Sequence, residues 1–140
     1  MNDEHGHLVG DRVLAATANA ISSAVRGADT AARVNQTAAR VGGEEFGILL
    51  PTTDLEGALA VAERIRAEVG DIRIPLREGG EVRITASLGV ATITGEIPGG
   101  EKAWFAASDD ALYSAKHAGR NRVVAVRVGT ESGNSLRTVG

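Results

Sequence analysis

The stretch Gly42-Gly43-Glu44-Glu45-Phe46 constrains this chain more than any other, because it puts two glycines in front of the apolar run Phe46-Gly47-Ile48-Leu49-Leu50-Pro51. Glycine reaches positive φ without steric cost, and a tight hairpin turn needs that backbone. Side chains alternate across a strand. The sequence therefore predicts a hairpin with Glu44 and Glu45 at its tip, directed to different sides. Two readings of the acids stay open at this point. One is a solvated turn, in which such residues are common. The other is a working pair, one carboxylate facing a metal ion and the other a substrate hydroxyl.

Around this turn the pattern moves between helical and strand periods. Val13, Leu14, Thr17, Ala20, Ile21, Ala24 and Val25 recur at helical spacing and predict an amphipathic helix from Gly10 to about Arg26. Asp54 is the expected N-cap of a second helix, with Leu55, Ala58, Ala62, Ile65 and Val69 inward and an end near Gly70. Ile72 to Leu76 reads as a short strand and Glu78-Gly79-Gly80-Glu81 as a turn. Val82, Ile84, Ala86, Leu88 and Val90 then read as the buried face of one longer strand. A last helix is expected from about Glu101 to Ala118, with Trp104, Ser108, Ala111, Leu112 and Ala115 inward and Gly119 as its stop. Arg122 to Val128 is expected as an edge strand and Thr130 to Gly140 as disordered. Ala31-Ala32-Arg33-Val34 recurs as Ala38-Ala39-Arg40-Val41, a small tandem repeat expected as extended loop or two further helical turns. This order suits an α+β architecture, helices flanking a mostly antiparallel sheet, with one domain over 1–128 and a tail over 129–140.

Composition narrows the function. A chain of 140 residues with 43% hydrophobic content supports one core and leaves no room for a second domain. No apolar run approaches the roughly eighteen residues of a membrane span, and Met1-Asn2-Asp3-Glu4-His5 is too polar for a secretory signal. A cytoplasmic location is expected, with no membrane contact from this segment and any tether lying elsewhere in a longer protein. Zero cysteines exclude disulfides and thiolate metal sites, so a metal would be held by oxygen or imidazole. His5, His7 and His117 lack metal-ligand spacing. A net charge of −3 argues against nucleic acid, which wants a basic face, and leaves a mononucleotide open.

Asn2-Asp3, Gly6-His7 and Gly10-Asp11 lie upstream of the hairpin. Ala111-Leu112-Tyr113-Ser114-Ala115-Lys116 and Gly119-Arg120-Asn121-Arg122 lie downstream. In this order and spacing, from Asn2 to about Val128, the chain resembles the GGDEF family of diguanylate cyclases. The resemblance implies a palm-like fold similar to adenylyl cyclases and polymerase palms. It also implies condensation of two GTP into cyclic di-GMP across a two-fold homodimer, dependence on Mg2+ or Mn2+, and product inhibition. It assigns Glu44 to the metal, and Glu45 to a second metal or to activation of the ribose 3′-hydroxyl. Asn2 and Asp11 are assigned to the guanine edge, with Leu14 one turn beyond packing on the purine, and Lys116 and Arg120 to the phosphates.

The chemistry suits those residue types. Guanine shows N1–H and an amine beside O6 and N7, which a carboxylate and an amide can read. An acidic hairpin repels a triphosphate unless a divalent cation lies between them. Lys116 and Arg120, four apart, share a helix face. On the residues alone, Asp11 is equally an acid stabilising a helix N-terminus, and Lys116 and Arg120 are equally cations at a helix C-terminus.

For an inhibitory arginine site the resemblance offers two places: Arg26-Gly27-Ala28-Asp29, at the matching distance from Asp11, and Arg33, at the matching distance from Gly42. Arg64 matches a secondary inhibitory arginine. Family members carry a further strand, with an aspartate and a Phe-Lys pair, ahead of the Asn2 position. The first strand is therefore expected to be truncated and turnover to be weak. Two rival readings stay open: an inactive GGDEF-type module that binds GTP or cyclic di-GMP as a receptor, and a palm relative using another nucleotide. The intact acid pair speaks against the first, and Asn2 with Asp11 against the second.

Overall fold

A computed structural model of the chain describes residues 3–27, 33–38, 44–50, 53–93, 99–128 and 135–139. The first element is helix α1, Asp3–Gly27, which begins earlier than the apolar spacing predicts. Its C-terminal half carries the buried side chains Ile21, Ala24 and Val25. Strands β1 (Arg33–Ala38) and β2 (Glu44–Leu49) follow and pair antiparallel, from Arg33 opposite Leu49 to Ala38 opposite Glu44. The first copy of the tandem repeat thus runs into a strand rather than helical turns. β-Branched Val34 and Thr37 favour that conformation, and β2 offers the segment a ladder of backbone partners.

Helix α2, Leu55–Gly70, forms as its sequence predicts. The Asp54 carboxylate accepts the Gly57 amide at 2.8 Å, and Leu55, Ala58, Ala62, Ile65 and Val69 are all buried. Leu59 and Val61 join them, giving α2 two apolar faces. Val61, Ile65 and Val69 pack with Ile21, Ala24 and Val25 of α1, and Phe46 and Ile48 of β2 close over the same cluster. Leu55, Leu59 and Ala62 pack instead on Val123 and Ala125.

The expected longer strand after the Gly79-Gly80 turn is two strands. β4 (Glu81–Arg83) folds back on β3 (Arg73–Pro75), and after a break at 84–87 the chain changes partner and starts β5, Leu88–Ile93. Helix α3, Gly100–His117, then returns the chain to β6, Val123–Val128, which lies parallel to β5. Ala111 and Ala115 of α3 are fully buried, whereas Trp104, Ser108 and Leu112 are only partly so. The Trp104 indole donates to the Ala91 carbonyl at 2.8 Å, fastening α3 to β5.

Two expectations at the C-terminus are corrected. β6 is central rather than an edge, because Ser135–Val139 is not disordered but forms β7, antiparallel to β6 on its other side. Apolar side chains on both faces of β6, Val123 and Ala125 against α2 and Val124, Val126 and Val128 against α3, suit a strand inside a sheet rather than at its edge. Among the described pairings three are antiparallel and one is parallel. The result is helices packed on mostly antiparallel strands, as the α+β reading requires.

Candidate active site

The hairpin brings the acid pair to a defined place. Glu44 and Glu45 open β2, opposite Ala38 and Thr37 in the ladder, while residues 39–43, including the Gly42-Gly43 turn, lie outside the described residues. Two adjacent carboxylates are a hard oxygen donor set. They fit Mg2+ or Mn2+, which commonly binds through one or two carboxylates and fills its remaining positions with water and phosphate oxygens.

Asp11 and Leu14 sit one turn apart on α1, Asp11 exposed and Leu14 half-buried. Because α1 starts at Asp3, Asp11 lies about two turns inside the helix, too far along for the terminal dipole to account for it. An exposed acid in mid-helix is free to face a ligand. Asn2 lies outside the described residues.

At the far end of α3, Lys116 is exposed in the last turn and Arg120 follows in the loop. The Arg120 amide donates to the Ala115 carbonyl at 3.0 Å after Gly119 has turned through φ 123°. This is the helix-ending motif that uses glycine for a left-handed turn. It ties the Arg120 backbone to the last turn of α3, the turn that carries Lys116. Among the described residues the Arg120 guanidinium has no ion pair, so the charge is available. His117 stacks on Tyr113 with ring centroids 3.8 Å apart, its Nδ1 lying 3.0 Å from the Tyr113 carbonyl.

The arginines expected to form an inhibitory site are spread out. Arg26 is exposed in the last turn of α1, its Nε 3.5 Å from the Ser22 carbonyl, and Asp29 lies outside the described residues. The ladder pairs Arg33 with Leu49, at the opposite end of the hairpin from Glu44. Arg64 holds Glu68 at 3.2 Å on the solvent face of α2.

One cluster escaped the sequence reading. Arg66 on α2 binds both carboxylate oxygens of Glu63 through Nε, at 3.0 and 2.9 Å, and reaches Asn121 Oδ1 through Nη1 at 2.9 Å. Hydrogen bonds from Arg66 hold the Glu63 carboxyl below its ordinary range, with Coulomb attraction adding and slight burial opposing. The same hydrogen bonds raise Arg66. Only the Asn in Gly119-Arg120-Asn121-Arg122 hinted at a partner. No local pattern links it to a residue 55 positions earlier.

Comparison with known proteins shows the family. The family profile described as "Diguanylate cyclase, GGDEF domain" matches residues 1–122. Diguanylate cyclase A of Treponema denticola is 42% identical over 123 residues, covering 88% of this chain and 31% of that protein. Diguanylate cyclase DgcM of Escherichia coli K12 is 44% identical over 125 residues, covering 89% of this chain and 27% of that protein. The chain thus spans about a third of the length of such relatives. The solved GGDEF domain of DgcB from Caulobacter crescentus, in complex with c-di-GMP, superposes with a TM-score of 0.64 at 31% identity. That match covers 94% of this chain and 70% of that one, and it bears out the palm-like α+β fold. With the acid pair opening β2 and the family profile spanning α1 through the end of α3, the chain belongs to the GGDEF family of diguanylate cyclase domains.

Proposed function

We propose that this domain condenses two GTP molecules into cyclic di-GMP as a two-fold homodimer in the cytoplasm. The observation that carries the reading is the Glu44-Glu45 pair at the start of β2. Asp11 accepts hydrogen bonds from guanine N1–H and the N2 amine, the Asn2 amide reads O6, and Leu14 packs against the purine. Lys116 and Arg120 hold the β and γ phosphates, Arg120 with a planar fork suited to them. Glu44 would hold Mg2+ or Mn2+, which would offset the charge on the phosphates.

Glu45 takes the proton from the ribose 3′-hydroxyl, and the 3′-oxygen attacks the α-phosphorus of the nucleotide on the partner domain. The bond from α-phosphorus to the bridging oxygen breaks and pyrophosphate leaves. The same step in the opposite sense closes the ring. One nucleotide per domain makes the pairing obligatory, since a single domain brings no second nucleotide into line.

Product feeds back on the same pocket, because cyclic di-GMP presents the guanine edge that Asp11 and Asn2 read. A secondary inhibitory site rests on Arg26 with Asp29 or on Arg33, with Arg64 as a further inhibitory arginine, and the seven-residue repeat uncouples it from the acids. Incubation with GTP and Mg2+ is expected to yield cyclic di-GMP at a low rate, read by chromatography. Glu45→Gln should abolish synthesis. Asp11→Ala should raise the KM for GTP about tenfold, because guanine donors lose a charged acceptor. Parental turnover by Glu45→Gln, or equal use of ATP, overturns the reading.

A further inference from the structure

Three successive residues of the loop after α3 have positive φ: Gly119 at 123°, Arg120 at 63° and Asn121 at 49°. Glycine adopts such backbone freely. For arginine it is unfavourable, and such residues persist where their surroundings over-determine them. Three elements supply that constraint here. From α3, the Ala115 carbonyl accepts the Arg120 amide. Ahead of β5, Ser87 Oγ accepts the Asn121 amide at 3.2 Å, and the Leu88 amide donates to the Arg122 carbonyl at 3.0 Å. From α2, the Arg66 guanidinium donates to Asn121 Oδ1 at 2.9 Å.

The last contact differs from the others. It is charged, it comes from a helix that neither begins nor ends at the loop, and its donor is itself fixed by Glu63. Arg66 touches no residue assigned to the nucleotide, yet it binds the neighbour of Arg120. We propose that Arg66 is a positioning residue for phosphate binding: through Asn121 it holds the left-handed turn that presents Arg120 to the β and γ phosphates of GTP. This inference rests on the nucleotide reading given above. Glu63 serves it in turn by fixing the plane of the guanidinium.

Calorimetric titration with GMP and with the Mg2+ complex of α,β-methylene GTP separates a phosphate effect from a general one. The wild type prefers the triphosphate. Arg66→Met should reduce that preference about tenfold, the scale of one charge-assisted hydrogen bond, with GMP affinity and thermal midpoint close to wild type. Asn121→Gly, which removes the acceptor while suiting the left-handed backbone, should do the same. Asn121→Asp keeps an acceptor oxygen and should retain the preference. In an Arg120→Ala background, Arg66→Met should have no further effect. An unchanged preference in Arg66→Met, or equal losses for GMP and triphosphate, overturns the positioning role and leaves the nucleotide reading standing. A wild type with no preference for the triphosphate overturns that reading and the role with it. Should Arg66→Met fail to fold, Asn121→Gly decides by the same criteria.

Discussion

Gly89 has no room for a side chain. A Cβ there would lie 2.3 Å from the Leu112 nitrogen, 2.3 Å from the Ser108 carbonyl oxygen and 2.8 Å from the Leu112 Cα. All three are backbone atoms of α3, so no rotamer change relieves the clash, and the helix itself must shift. Gly89→Ala is expected to destabilise the fold by about 3 kcal/mol, the upper part of the range for overpacking. Urea unfolding with a lowered midpoint and unchanged slope would register it. The same scale separates what could be read in the sequence from what could not. Asp11 and Leu14 sit one turn apart on α1 as their spacing predicts, whereas the end of α3 divides Lys116 from Arg120. Arg66 and Asn121 meet only because α2 and the loop after α3 pack together, and no periodicity carries that information.

Among the elements, α2 was the most legible, whereas β6 was legible as a strand but not in its place in the sheet. An aspartate before an apolar stripe at helical spacing has one good interpretation, and Asp54 caps α2 as its position demands. Asp54→Ala should cost about 1 kcal/mol, seen as a lower thermal midpoint by circular dichroism, because the Gly57 amide loses its partner. Val123 to Val128 reads as a strand with equal ease at an edge or in the middle of a sheet, since apolar content does not say how many neighbours arrive. The break at 84–87 was hidden for a related reason. Alternation continues through Ile84 and Ala86, whereas the change of pairing partner from β3 to β6 is a tertiary event. The hairpin acids were legible from their glycines, but β1 was not, because its conformation depends on the ladder it forms with β2.

For the whole molecule, the proposed reaction, which joins two nucleotides held by two domains, makes rate depend on association. Specific activity should therefore rise with protein concentration until the dimer saturates, as measured by initial rates over a dilution series alongside sedimentation. Constant specific activity down to concentrations where only monomer sediments would contradict the two-domain reaction.

The central strand carries a different liability. One side of β6 meets α2 through Val123 and Ala125, and the other meets α3 through Val124, Val126 and Val128. Sliding the strand by a single residue would exchange two sets of nearly equal oiliness, so hydrophobicity scarcely penalises the misalignment. Arg127 breaks the tie. It now lies beside Thr92 at the end of the strand, half-exposed. A slid strand would carry it to the side lined by Ala111 and Ala115, where an unpaired charge is costly. One arginine in an otherwise greasy strand thus acts as the proofreader of its own alignment.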